Sequence, residues 1–141
     1  MKKFKFELEK ILEYRNYEKK AAEGELAKAL AVEAQINAQL EAIALKLVQM
    51  NKSMKTSYNF NDIIAQSQHT NLLNYQKEEL LKQLAQAKLV TEQKRSVLRE
   101  CMKKTTALEK LKEKQLADWK AAADYEEAEL LDEVKNKLVQ P

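Results

Sequence analysis

Apolar residues recur along the first part of the chain in alternating steps of four and three. The ladder holds Leu8, Leu12, Arg15, Lys19, Ala22, Leu26, Ala29, Glu33, Ile36, Leu40, Ile43, Leu47, Met50 and Met54, and eleven of the fourteen are apolar. A repeat of 3.5 residues kept up over more than six heptads specifies a left-handed coiled coil. The stripe is too narrow for a helix covered on several sides. The ladder stops near Ser57-Tyr58-Asn59-Phe60-Asn61-Asp62, where Asn and Asp favour turns and helix N-caps. This pattern predicts a first helix over about residues 3–56, a reversal at about 57–61, and a second helix over about 62–138 capped by Asn61 or Asp62.

A second, weaker ladder runs through Leu73, Lys77, Leu80, Leu84, Ala87, Thr91, Lys94, Leu98, Cys101, Thr105 and Leu108. Beyond Leu108 the pattern reads as shifting to Leu111, Gln115, Trp119 and Ala122, then Leu130, Val134 and Leu138. Pro141 cannot extend a helix far. Two long helices joined by a short turn must lie antiparallel. At 1.5 Å per residue they would be roughly 80 Å and 115 Å long. A turn near residue 59 sets Phe4 level with Lys114, so helix 2 would overhang helix 1 and carry Trp119, Leu130, Leu131 and Val134 into the overhang. The expected fold is all-α: one domain over residues 1–141, an antiparallel coiled-coil hairpin with helix 2 overhanging.

Composition narrows the alternatives. Ala, Glu, Lys, Leu and Arg make up well over half of the 141 residues, and Gly and Pro occur once each. Strand-rich folds need turn residues at short intervals, so a β-sandwich, a barrel and a Rossmann-type domain are excluded. Disorder is excluded too, because 45% of the chain is hydrophobic and periodic. With 6% aromatics, a compact core would have few large side chains to fill it. Cys101 and His69 are the single cysteine and histidine, which rules out an internal disulfide and a Cys/His metal site within one chain. No cofactor is expected. The opening Met1-Lys2-Lys3-Phe4-Lys5 has no apolar region behind it, so it does not read as a signal peptide. No stretch approaches the ~20 apolar residues of a membrane span. The expectation is a cytoplasmic protein without direct membrane insertion.

Charge is segregated along the chain. Residues 94–117 carry eight bases and three acids, a local +5; residues 118–141 carry seven acids and three bases, a local −4. The basic run from Lys94 to Lys114 is interleaved with Glu100, Glu109 and Glu113 and lacks aromatics. It therefore reads as a solvated ion-pair face rather than a nucleic-acid surface. Arg15 and Lys19 interrupt the first seam, either with stems packed and heads in water or, for Arg15, as a partner contact. Cys101 reads as a small seam filler, and His69 as a solvated side chain. Trp119 is either a cap on the coiled coil or an interface anchor. Tyr58, Phe60 and Tyr75 fall near the tip, where they either pack the turn or form a contact surface. No phosphate cradle, carboxylate pair or nucleophile–base set is present in the sequence, so no catalytic residue is assigned and no enzyme is expected.

The opening Phe4-Lys5-Phe6-Glu7-Leu8-Glu9-Lys10-Ile11-Leu12-Glu13-Tyr14-Arg15, followed by Glu18, Ala22 and Glu25-Leu26-Ala27-Lys28-Ala29, resembles the N-terminal signature of the FliJ family. These are small coiled-coil proteins of the bacterial flagellar type III export apparatus. Leu108-Glu109-Lys110-Leu111-Lys112-Glu113-Lys114 and the stretch from Glu126-Glu127 to Leu131-Asp132-Glu133 are similar to the family's second half. The resemblance implies a hairpin like the central stalk of rotary ATPases. Its implied partners are the hexameric flagellar export ATPase, the cytoplasmic domain of the export gate and flagellar substrate chaperones. It implies a place in the cytoplasm, peripherally associated with the inner membrane at the flagellar base. Carried over by motif, Phe4, Leu8, Leu12, Arg15, Leu108, Leu111 and Lys112, with Trp119, would face the ATPase. Gln39, Ile43 and Met50 stand as a guess at the gate-facing shaft. A prefoldin-like hairpin holdase and a coiled-coil adaptor are the alternative readings.

Overall fold

A computed structural model describes residues 2–56 and 59–139. It contains two helices, α1 over Glu9–Thr56 (48 residues) and α2 over Phe60–Val139 (80 residues). No strand occurs among the described residues. The two helices pack against each other as an antiparallel coiled-coil hairpin.

Both helix starts differ from the sequence expectation. α1 begins at Glu9 rather than near residue 3, because residues 2–6 are non-helical. The Glu9 N–H donates to the Phe6 carbonyl at 3.2 Å and closes the entering turn; the Leu12 N–H then donates to the Leu8 carbonyl at 2.9 Å. α2 is capped by Asn59, not by Asn61 or Asp62. The Asn59 side-chain oxygen accepts from the Asn61 N–H at 3.1 Å, and its carbonyl accepts from the Ile63 N–H at 3.1 Å. The cap thus satisfies an N–H that the first turn would otherwise leave open. Asp62 sits in that first turn, where its charge suits the positive end of the helix dipole. Ser57 and Tyr58 lie outside the described residues; Phe60 and Tyr75 are exposed rather than packed.

The chain divides into two compact units. The unit Ala22–Leu98 follows the ladders closely. Ala22, Ala29, Ile36 and Ile43 of α1 are buried, as are Leu73, Ala87 and Thr91 of α2. The ladder positions Leu26, Glu33, Leu40, Leu47, Met50 and Met54, with Leu80, Leu84, Lys94 and Leu98, are half-buried; Lys77 is exposed and leaves the seam. Three cross-helix contacts fix an antiparallel register. Lys94 Nζ lies 3.9 Å from Glu25, the Thr91 hydroxyl donates to Glu33 at 2.6 Å, and the Thr70 hydroxyl donates to Met50 Sδ at 3.9 Å.

The other unit joins Met1–Ala21 to Arg99–Pro141. Among its described residues, Phe6, Leu12 and Thr105 are buried. Here the ladder does not shift after Leu108 as the sequence suggested. Lys112, Leu116, Trp119 and Ala123 are half-buried, while Leu111, Gln115 and Ala122 are exposed. The alternating step holds as far as Lys112; two steps of four in succession, from Leu108 to Lys112 to Leu116, then move the covered face on by one position. A lysine can hold a seam position because its stem packs while its ammonium stays at the rim, and here the ammonium meets Glu9 at 2.8 Å. Phe4 meets Trp119 rather than Lys114. The non-helical segment before Glu9 covers up to ~3.3 Å per residue against 1.5 Å in a helix, and so reaches further along α2. From residue 124 to 139 every position of α2 is exposed, including Leu130, Val134 and Leu138.

Candidate partner-binding site

The first candidate surface lies within the unit formed by the start of α1 and the second half of α2. Its residues are brought together by three cross-helix contacts. The Thr105 hydroxyl donates to the Arg15 carbonyl at 3.3 Å, Lys112 pairs with Glu9, and the Trp119 indole N–H donates to the Lys2 carbonyl at 3.1 Å. The Phe4 and Trp119 rings stack at a tilt of 57°, with centroids 6.1 Å apart. Trp119 thus clasps the N-terminal segment from both its backbone and its side chain.

The candidate residues split into packing and surface roles. Leu12 is buried, and Leu8 and Leu108 are half-buried, so these three build the interior of the hairpin rather than offer a surface. Leu111 is exposed at the flank of α2, beside the seam residues Leu108 and Lys112. Arg15 is half-exposed: its guanidinium pairs with Glu18 at 3.1 Å and lies 6.0 Å from the Tyr14 ring centre. Tyr14 and Tyr17 are themselves exposed, as is Ile11. A guanidinium beside an exposed aromatic ring combines the residue types that dominate protein interfaces.

Sequence reasoning placed Thr105 on the seam, where it is buried, but missed its bond to the Arg15 carbonyl and the parts played by Phe6, Glu9 and Glu18. For Phe6 a signal was available: Phe4-Lys5-Phe6 alternates with period two, the mark of extended chain rather than helix. Glu9, Glu18 and Thr105 carry no such signal, because their roles exist only once the register is set.

The gate-facing candidates lie in the other unit. Gln39 and Ile43 line a shallow groove of about 510 Å³ together with Lys46, Tyr75 and Leu80. Ile43 is buried and forms part of its floor, whereas Gln39 is exposed. Met50 is half-buried against Thr70. No group of three or more His, Cys, Asp or Glu among the described residues is placed to hold a metal ion. No helix among them is long and apolar enough to cross a membrane.

The two long helices and the heptad ladders that pair them within each unit define a coiled-coil hairpin protein. Residues 4–140 match the family of the flagellar FliJ protein, and the chain belongs to that family, a structural component of flagellar protein export. Comparison with curated proteins gave no match. Comparison with solved structures gave none either.

Proposed function

We propose that this protein is the stalk of the hexameric flagellar export ATPase ring and links it to the export gate and to substrate chaperones. In this reading it works in the cytoplasm, peripherally associated with the inner membrane at the flagellar base. Family membership supports the setting. The observation that carries the ATPase assignment is the half-exposed Arg15 with the exposed Tyr14 and Tyr17, in the same unit as the Glu9–Lys112 ion pair. A stalk inside a ring must meet several equivalent subunits through one asymmetric surface. Long charged side chains suit that task, because charge steers and orients association more than it locks it.

The test is ATP hydrolysis by the export ATPase, titrated with this protein. Arg15→Glu combined with Lys112→Glu should lower the stimulation, and do so more at low salt than at high salt, because screening weakens exposed charges. Helicity should be retained, since half-exposed ion pairs contribute at most about 1 kcal/mol. Undiminished stimulation with helicity intact would place the ATPase surface elsewhere.

A further inference from the structure

The stretch of α2 from residue 124 to 139 is exposed at every position, so no other described segment of this chain covers it. Along one side Ala128, Leu131, Val134 and Leu138 recur at helical spacing and line a shallow groove of about 530 Å³, with Asp132 and Lys135 beside them in the lining. At 3.6 residues per turn, Glu126, Glu129 and Glu133 fall on the opposite side of the helix. Half of the segment's six acids are thus directed away from the apolar stripe, while Asp124 and Glu127 share its side of the helix.

We propose that a second copy of this chain covers the stripe, the two 124–139 segments pairing antiparallel. The two lining charges select both the occupant and the orientation. Parallel pairing would set Asp132 level with the second copy's Asp132, and Lys135 level with its Lys135. Antiparallel pairing about an axis near residue 133 sets each Asp132 near the other copy's Lys135, twice over by symmetry. The same overlay brings Leu131 near the second copy's Val134, and Ala128 near its Leu138, so the apolar stripes coincide where the charges match. An antiparallel two-fold contact is closed, because each patch is complementary to itself. The interface is short, about 24 Å at 1.5 Å per residue. Its few aliphatic side chains per copy fall well below a standard interface, so the association is weak and reversible.

Sedimentation equilibrium of the full chain over roughly 10–500 µM tests this in the range where so small an interface is populated. The unaltered protein should show a reversible monomer–dimer equilibrium, and Leu131→Glu should abolish it. Asp132→Lys alone and Lys135→Asp alone should each weaken association about tenfold or more, the effect of roughly 1.4 kcal/mol. An equimolar mixture of the two charge variants should recover it, because each mixed pair then sets unlike charges together at both ends. A variant that had merely lost its local helix would not be rescued by mixing. A chain that stays monomeric throughout the range, dimers indifferent to either reversal, or a mixture no better than its components would each overturn the proposal. The first of these outcomes would leave the stripe to a different protein.

Discussion

The Thr91 hydroxyl donates to a Glu33 carboxylate oxygen at 2.6 Å across the helix interface. Both are polar residues at positions of a mainly apolar heptad seam. Glu33 is half-buried and Thr91 buried at 4% exposure, so these two interruptions of the seam satisfy one another. A hydroxyl has one proton, and the short bond to the carboxylate claims it in preference to the Ala87 carbonyl at 3.0 Å.

Removing only one partner of this bond leaves the other without its cross-helix contact. Thr91→Val should therefore destabilise the hairpin by about 1–2 kcal/mol. Thr91→Val combined with Glu33→Leu should recover most of that loss, since replacing both partners with apolar groups can be nearly neutral. A double-mutant cycle from urea denaturation reads the coupling. Strictly additive effects would mean that the bond contributes nothing of its own.

Seam and outer face should respond differently to charge. Ile43 is 7% exposed in the interface, and Ile43→Asp places an unpaired carboxylate there, at a cost of about 3 kcal/mol or more. Leu40→Asp, at a half-buried position, should cost less. Lys28, whose side chain is 79% exposed, should tolerate replacement by Ala within about 0.5 kcal/mol. Thermal melts followed by circular dichroism compare the three, and equal shifts would contradict the heptad register.

Gly24 lies inside α1, and a methyl group added at its Cα meets nothing within 4 Å. Its backbone does not need glycine, because no residue has a positive φ among those described. Gly24→Ala should raise stability by about 0.5–1 kcal/mol, through helix propensity and a less flexible unfolded chain. Denaturant midpoints measure it; a lower midpoint would show a contact at this face that the hairpin alone does not contain.

The N-terminal clasp predicts a graded series. Phe6, buried at 5% exposure, should cost about 3 kcal/mol or more as Phe6→Ala. Trp119→Phe keeps a ring against Phe4 but loses the donor to the Lys2 carbonyl, and should cost about 1 kcal/mol. Hydrogen exchange of the Glu9 amide, which donates to the Phe6 carbonyl, should quicken in both variants. Protection unchanged in Trp119→Phe would show that the turn is held without the bond to the Lys2 carbonyl.

Some of this protein was legible in its sequence by itself. The two helices, their antiparallel pairing and every ladder position from Leu8 to Met54 follow from a 3.5-residue repeat, which is a local property: each apolar residue marks its face relative to its neighbours four and three away. The tertiary structure decided what depends on residues distant in the chain. Lys112 holds the seam because Glu9 is there to receive its ammonium. Glu33 and Thr91 are tolerated because the register sets them face to face. The segment before Glu9 leaves the helix with Phe6 buried and Trp119 holding the Lys2 carbonyl. A periodic pattern states which side of a helix is covered. It does not state which polar residue stands opposite, because that is fixed only when the two helices come to rest against each other.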